Sequence, residues 1–574
     1  MNVIRAVQLY LDQMVSEAGP GMKMLMMDRE TTSIVSMAFA QSEMLQKEVY
    51  LFERIDSGRS NERLKYVKCI VFIRPTRDNV LRLQSELKSP KYGSYFINFS
   101  NIIPRTDIKA LAESDESESV REVREMYADY LPVNPNLFSF NIPTCLQALS
   151  WNPDALERSV QGLISVLLSF KFRPAIRFKS SSSAAQTLAK KVHETINKET
   201  ALFSFRPPDD GAAPPLLLIL DRRDDPITPL LNQWTYQGMV HELLTITKQR
   251  VDLSGVQGVP KDLKEIVLST EQDEFYAGNL YSNFGEIATT IKGLMDEFQK
   301  KVNDQKKIES INDMKNFVET YPQFKKMSGA VNKHLVLISE LSLQVSKQQL
   351  FEISELEQEI ACRADHATQL QRVKKLVSDE KISLHNALRL VMLYSMRYER
   401  HANCGTSGLL KILQDRGGRA NVVPKMLEYI SPSARQELFN LVKITDAVKL
   451  TRNLIKGLKG VENVYTQHNC VLKETLEEVV KGRPLDSSYP IMGNEVPYRR
   501  PPQEVIVFVI GGTTYEEALA VHRYNQEGYK VILGGTTVHN STSFIDEILA
   551  ATVGVPFKHS RSLQQFHHAP PGEA

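Results

Sequence analysis

Proline limits how this chain can fold more than any other residue, because it lacks a backbone N–H and its ring clashes with the preceding helical turn. Its distribution is uneven. Residues 1–239 hold 15 prolines, 240–483 hold 4 and 484–574 hold 8. So few in the middle predicts a mainly helical segment, flanked by segments of mixed helix and strand. The flanks carry the second signal. KMLMM (23–27), EVYLF (48–52), KCIVFI (68–73) and SYFINF (94–99) are short apolar, β-branched or aromatic runs that read as strands. KCIVFI, then Arg74-Pro75-Thr76, then NVLRLQSELK, gives the strand, loop, helix rhythm of a doubly wound parallel sheet. The acidic ESDESESVREVRE (113–125) reads as the start of a solvated helix, capped by Ser114 and Asp115 and favoured by early acids facing the dipole.

The rhythm returns at LLLILDRRDDPITPLLNQWTYQ (216–237), whose strand is apolar throughout, as expected when helices cover both faces. The C-terminal ninety or so residues read VIVFVI, GGTTYEEALAVHRY, KVILGGTT and SFIDEILAAT, a β-α-β-α unit. Two strands cannot hold a sheet alone, so this unit is expected to complete the sheet begun by residues 130–239. The expected fold class is α/β plus a mainly helical insertion: an N-terminal α/β domain at 1–129, a discontinuous second α/β domain at 130–239 and 476–574, and a helical domain at 240–475. Within the insertion, apolar residues recur at helical spacing over Ile287–Val302, Ile311–Tyr321 and Phe324–Ile338, with Pro322 interrupting the stripes. Packing in a bundle and a protruding hairpin at about 286–345 that receives partner helices both fit this pattern.

Composition excludes several classes of function. The chain has 70 basic and 68 acidic residues, a net +2 that lacks the surplus expected of a nucleic-acid binder. No apolar run approaches the roughly 18 residues of a spanning helix, and MNVIRAVQLYLDQMV reads as an amphipathic helix rather than a signal peptide. The five cysteines lie at least 42 residues apart, so they form no CxxC pair, and their odd number fits no disulfide framework. A cytoplasmic monomer with reduced thiols is expected.

Candidate chemistry is sparse. The GGTT sequences at 511–514 and 534–537 follow strands but are neither GxGxxG nor GxxxxGK[ST], and they read as tight turns. Asp221, Asp224 and Asp225 follow a buried strand, where α/β enzymes keep carboxylates. Arg222, Arg223, Pro226 and Pro229 among them favour a salt-bridged turn. An α/β enzyme using the Asp221–Asp225 cluster and the GGTT turns remains the alternative, and a coiled-coil tether over 286–345 is a second one. No catalytic, cofactor or metal set assembles.

LLLILDRRDDPITPLLNQWTYQGMVHELL, MKNFVETYPQFKKMSGAVNKHL, LKGVENVYTQH, VFVIGGTTYEEALAV with VILGGTTVHN, and residues 22–57 together resemble the SM (Sec/Munc) family of vesicle-fusion regulators. The resemblance runs from about residue 1 to 550. It implies a three-domain arch, no enzyme activity and no cofactor. It also implies a SNARE-binding chaperone and template for SNARE assembly, serving trans-Golgi, endosomal and vacuolar transport. The partners implied are a syntaxin-like SNARE with its SNARE complex and a vesicle SNARE, with no nucleic acid and with membrane association only through SNAREs at Golgi and endosomal membranes. By the same resemblance a pocket for the syntaxin N-terminal peptide falls on Ile108, Leu111 and Val120, with Glu125 as polar neighbour. The SNARE-binding hairpin has its tip at Tyr321-Pro322-Gln323-Phe324, with Pro322 and Phe324 joined by Met327 and Leu335 on the following helix.

Overall fold

In a computed structural model, the structure describes residues 1–57, 63–205, 213–305, 311–431, 434–437, 465–482, 487–493 and 501–553. The strand runs of the first segment pair as one parallel sheet. Its members are β1 (Lys23–Met27), β2 (Val49–Arg54), β3 (Leu64–Ile73), β4 (Tyr92–Phe99) and β5 (Val120–Glu125), in the order β2-β1-β3-β4-β5. Strand side chains alternate between faces, and the sequence is apolar at both parities. Leu25, Met27, Ile70 and Phe72 therefore enter one core, shared with the N-terminal helix Val3–Glu17. Met24, Met26, Cys69, Val71 and Ile73 enter another, closed by Val80, Leu83, Leu87 and Leu111 from two helices.

The second sheet collects strands distant in sequence. β6 (Leu131–Asn134), β7 (Leu137–Ser139), β10 (Ala175–Phe178), β11 (Leu216–Asp221), β14 (Glu504–Ile510) and β15 (Lys530–Gly535) order as β10-β11-β14-β15-β7-β6. The intervening numbers belong to the small hairpins β8 (Leu146–Gln147) with β9 (Ser150–Trp151) and β12 (Arg250–Asp252) with β13 (Glu265–Val267). Leu216 pairs with Val505 and Leu533 with Leu137, so β14 and β15 fill the middle of a sheet whose flanks come from the first half of the chain. Residues 236–437 and 471–480 supply mainly helices.

Three expectations need correction. The acidic stretch 113–125 does not start a helix: the helix Arg105–Ser114 ends there, and Val120–Glu125 is strand β5. Asp115 caps the turn instead, accepting from the backbone N–H groups of Ser119 and Val120 at 2.9 Å each. Pairing with β4 decides the strand, and it puts the two valines on opposite faces, Val120 half-buried and Val123 exposed. Second, Pro322 stops nothing, because the hairpin consists of the helices Phe284–Gln305 and Ile311–Lys347, and the second runs through Pro322. Residues 306–310, between the two helices, lie outside the described residues. The apolar series Ile311, Met314, Phe317, Tyr321, Phe324, Met327, Val331 keeps helical phase across the proline. The helix continues despite one missing hydrogen bond and a local clash, together about 3 kcal/mol. Third, only the first GGTT is a turn. Gly511 and Gly512 have φ of +80° and +88°, whereas Gly534 and Gly535 lie within β15. A Cβ on Gly534 would sit 2.0 Å from the Phe138 ring, so that glycine is demanded by close packing.

Candidate functional site

The first surface is the outer edge of the five-stranded sheet. Helix Arg105–Ser114 crosses beside edge strand β5. Within it Ile108 is 37 % exposed and Leu111 3 % exposed. The difference follows from helical geometry, since residues three apart on a helix edge can straddle the boundary between core and solvent. Val120 is half-buried and packs against the same core as Leu111. The structure thus brings Leu111 and Val120 together beneath the surface and leaves Ile108 facing solvent. Glu125 is committed internally: Oε1 accepts from the Ile103 backbone N–H at 2.9 Å and Oε2 from the Tyr127 hydroxyl at 2.8 Å. It holds the chain just before Pro104, where the Ile108 helix begins. Val123, exposed on the same edge strand, is an apolar candidate that the helical reading of 113–125 concealed.

The second surface is the helical hairpin. Met327 and Leu335 are half-buried on Ile311–Lys347, and Met295 is exposed on Phe284–Gln305. The side chains of Pro322 and Phe324 lie outside the described residues, although their backbone belongs to the helix.

The carboxylate cluster after β11 is a buried joint. Asp221 Oδ2 accepts from Ser182 Oγ at 2.5 Å and pairs with Arg223 at 2.6 Å. Asp225 accepts from the Thr228 hydroxyl at 2.6 Å and the Val471 N–H at 3.1 Å. Arg222, 1 % exposed, donates to Gly512 O, Asp225 O and both oxygens of Glu517. Glu517 also completes the capping box of helix Tyr515–Gln526, accepting from the Thr514 N–H at 2.8 Å. The DRRD and GGTTYEE motifs, nearly 300 residues apart, therefore form one network across the seam between β11 and β14. Asp224 accepts from Ser431 at 2.9 Å, and burial, aided by Asp221, pushes its carboxyl up to about 6. Among the described residues no group of His, Cys, Asp and Glu is arranged to hold a metal, and no helix is long and apolar enough to cross a membrane.

The fold that carries these surfaces and this joint has known counterparts. The Sec1 family pattern matches residues 23–547. The chain belongs to the Sec1 family. It is 53 % identical over 568 residues to human vacuolar protein sorting-associated protein 45, covering 98 % of each chain, and 34 % identical to the Saccharomyces cerevisiae protein of that name, covering 96 % of this chain and 100 % of that one. The solved structure of the SM protein Vps45 in complex with the Qa SNARE Tlg2 is 42 % identical, with a TM-score of 0.88 over 96 % of this chain and 99 % of that chain. The Unc18–syntaxin 1 complex from Monosiga brevicollis, at 19 % identity and a TM-score of 0.79 over 96 % of this chain and 100 % of that one, shares the fold. As Sec1-family members, these proteins place the chain among SNARE-binding regulators of vesicle traffic. The Asp221–Asp225 cluster accordingly finds its explanation in the seam.

Proposed function

We propose that this protein is a SNARE-binding chaperone and template that regulates SNARE assembly in trans-Golgi, endosomal and vacuolar transport. It holds a syntaxin-like SNARE at two surfaces: an N-terminal peptide at the edge of the first sheet around Ile108, and helical segments along the hairpin. The observation that carries this reading is the similarity, at 42 % identity over 96 % of this chain, to a solved Vps45 bound to the Qa SNARE Tlg2. The physical logic is one of preorganisation. A four-helix SNARE bundle must order several disordered segments at once, and a rigid hairpin that presents an apolar helical face bears part of that ordering in advance. Peripheral association with Golgi and endosomal membranes then comes through the SNARE partner.

Calorimetric titration of the purified chain with soluble Tlg2, and separately with its N-terminal peptide, tests the proposal. Saturable binding of both is expected, with the peptide lost in Ile108→Arg. Absence of binding to either would refute it. Hydrolysis of a nucleotide or ester that disappears in Asp224→Asn would favour the enzyme alternative instead.

A further inference from the structure

Helix Ile311–Lys347 has 37 residues, about 55 Å at 1.5 Å per residue. Among its described side chains the buried series begins at Val331 and continues through His334, Leu337, Ile338, Leu341 and Val345. On the first hairpin helix the buried apolar side chains described are Ile287 and Ile291, near its start. Among the described side chains the body therefore grips the hairpin at one end, and His334 belongs to the layer one turn inside Val331.

That layer is polar. The Tyr236 hydroxyl lies 2.7 Å from His334 Nδ1, and Asp273 Oδ2 lies 2.9 Å from Nε2. Lys333 pairs with the same carboxylate, and its other oxygen accepts from the Tyr276 N–H at 2.9 Å. The Phe275 ring covers the imidazole at 4.5 Å between centroids. Tyr236, Asp273 and His334 are all buried. Burial pushes Asp273 up, but the hydrogen bond from His334 and the charge and hydrogen bond of Lys333 outweigh it and hold the carboxyl well below its usual range, so it is ionised and can only accept. His334 Nε2 must then carry a proton. Burial keeps the imidazole neutral, opposed by Asp273, so Nδ1 accepts and the Tyr236 hydroxyl donates.

The chain of bonds runs in one direction, and each member comes from a different element. Tyr236 opens helix Tyr236–Leu244, Asp273 caps helix Glu274–Asn279, and His334 belongs to the hairpin. Apolar packing alone tolerates small rotations, because dispersion is non-directional. Directional hydrogen bonds do not, because they weaken steeply as the angle closes. The lever is long. From His334 to Ile311 is 23 residues, about 34 Å, so a tilt of about 10° moves the far end by about 6 Å, roughly one helical turn. A displacement of that size changes which ridges meet which grooves on a partner helix.

We propose that the Tyr236–His334–Asp273 chain is a positioning device that sets the angle at which the hairpin leaves the body, and through it the affinity for helical SNARE segments; the second clause rests on the function proposed above. The test uses the full chain carrying bio-orthogonal nitroxide labels at the exposed positions 252 and 300, with distances read by double electron–electron resonance. A narrow distribution is expected in the wild type. In Tyr236→Phe, which keeps the ring but strands the buried Nδ1 acceptor, the distribution should broaden or shift by several ångströms. Affinity for soluble Tlg2 lacking its N-terminal peptide should fall about tenfold, with affinity for the isolated peptide unchanged. An unaltered distribution overturns the proposal, as does an altered one with unchanged affinity in a protein whose wild type binds. If the wild type does not bind Tlg2, the SNARE reading fails while the label distances still decide whether the chain sets the angle. Should Tyr236→Phe not fold, Asp273→Asn replaces it with the same readouts, and failure of both to fold overturns the proposal in favour of a folding role.

Discussion

Replacing Glu517 with glutamine isolates what the buried seam contributes, because it changes one atom and no volume. Glu517 Oε1 faces Arg222 Nη2 at 2.6 Å. Oε2 faces the same nitrogen at 2.5 Å, the Thr514 N–H at 2.8 Å and the Thr514 hydroxyl at 3.2 Å. Both positions see donors, so neither orientation of the amide avoids setting its NH₂ against another N–H. The change also leaves the Arg222 guanidinium buried with Asp225 as its nearest carboxylate, 3.9 Å away. Removing one partner of a buried pair costs about 3–5 kcal/mol. Asp225 moderates the loss, placing it near about 3 kcal/mol. Urea unfolding followed by the fluorescence of Trp151 and Trp234 reads it, since these are the chain's two tryptophans. Arg222→Met combined with Glu517→Leu should recover much of the loss, because an apolar pair needs no compensation for desolvated charge. A Glu517→Gln protein within about 1 kcal/mol of wild type, or a double variant worse than both singles, would refute the reasoning.

At the sheet edge, Ile108→Arg should abolish N-terminal peptide binding in calorimetry with an unchanged unfolding curve, whereas Leu111→Arg should fail to fold, because it places a charge in the core at a cost of several kcal/mol. In the hairpin, Pro322→Ala should slow hydrogen exchange around 318–322 by removing a defect from an existing helix, with no added helix by circular dichroism; a rise in helix content would restore Pro322 as a stop. Glu547 is fully buried, and burial pushes its carboxyl up to about 8 from the usual 4.5. It binds its proton more tightly folded than unfolded, so its contribution to stability is complete below about pH 4.5 and is lost as pH rises towards about 8. Glu547→Gln should flatten that slope and raise the melting temperature relative to wild type above about pH 8, while an unchanged slope would contradict the assignment.

The layer architecture was legible because apolar strands covered on both faces leave a plain record. LLLIL and VIVFVI had to be buried on both sides, and the prolines separated the flanks from the helical middle. The reading failed where two periodicities compete over a short span. VREVRE offers valines three apart, suiting one face of a helix, and also repeats charge and apolarity on a scale that an edge strand accepts. What decided was tertiary: β4 presents an open edge at Tyr95–Phe99, and β5 pairs with it. Pro322 was misjudged for a related reason. Its cost is local and calculable, and only the phase of Ile311 to Val331 across the proline hinted that the helix runs through it.

The surface residues were harder to read because binding and packing ask for the same side chains. Leu111 and Ile108 are equally apolar and sit on one helix, and three residues decide which is core and which is available. The resemblance points to that helix, but only burial distinguishes its core side chain from its exposed one. The polar residues carry the opposite problem. Arg222 and Glu517, or Tyr236, Asp273 and His334, look like candidate chemistry in a linear sequence, since buried charge elsewhere accompanies catalysis. In this fold each set closes on itself, every strong donor meeting an acceptor from a distant element. Such closure costs reactivity and gains direction, which suits a protein that binds helices in register better than one that turns over a substrate.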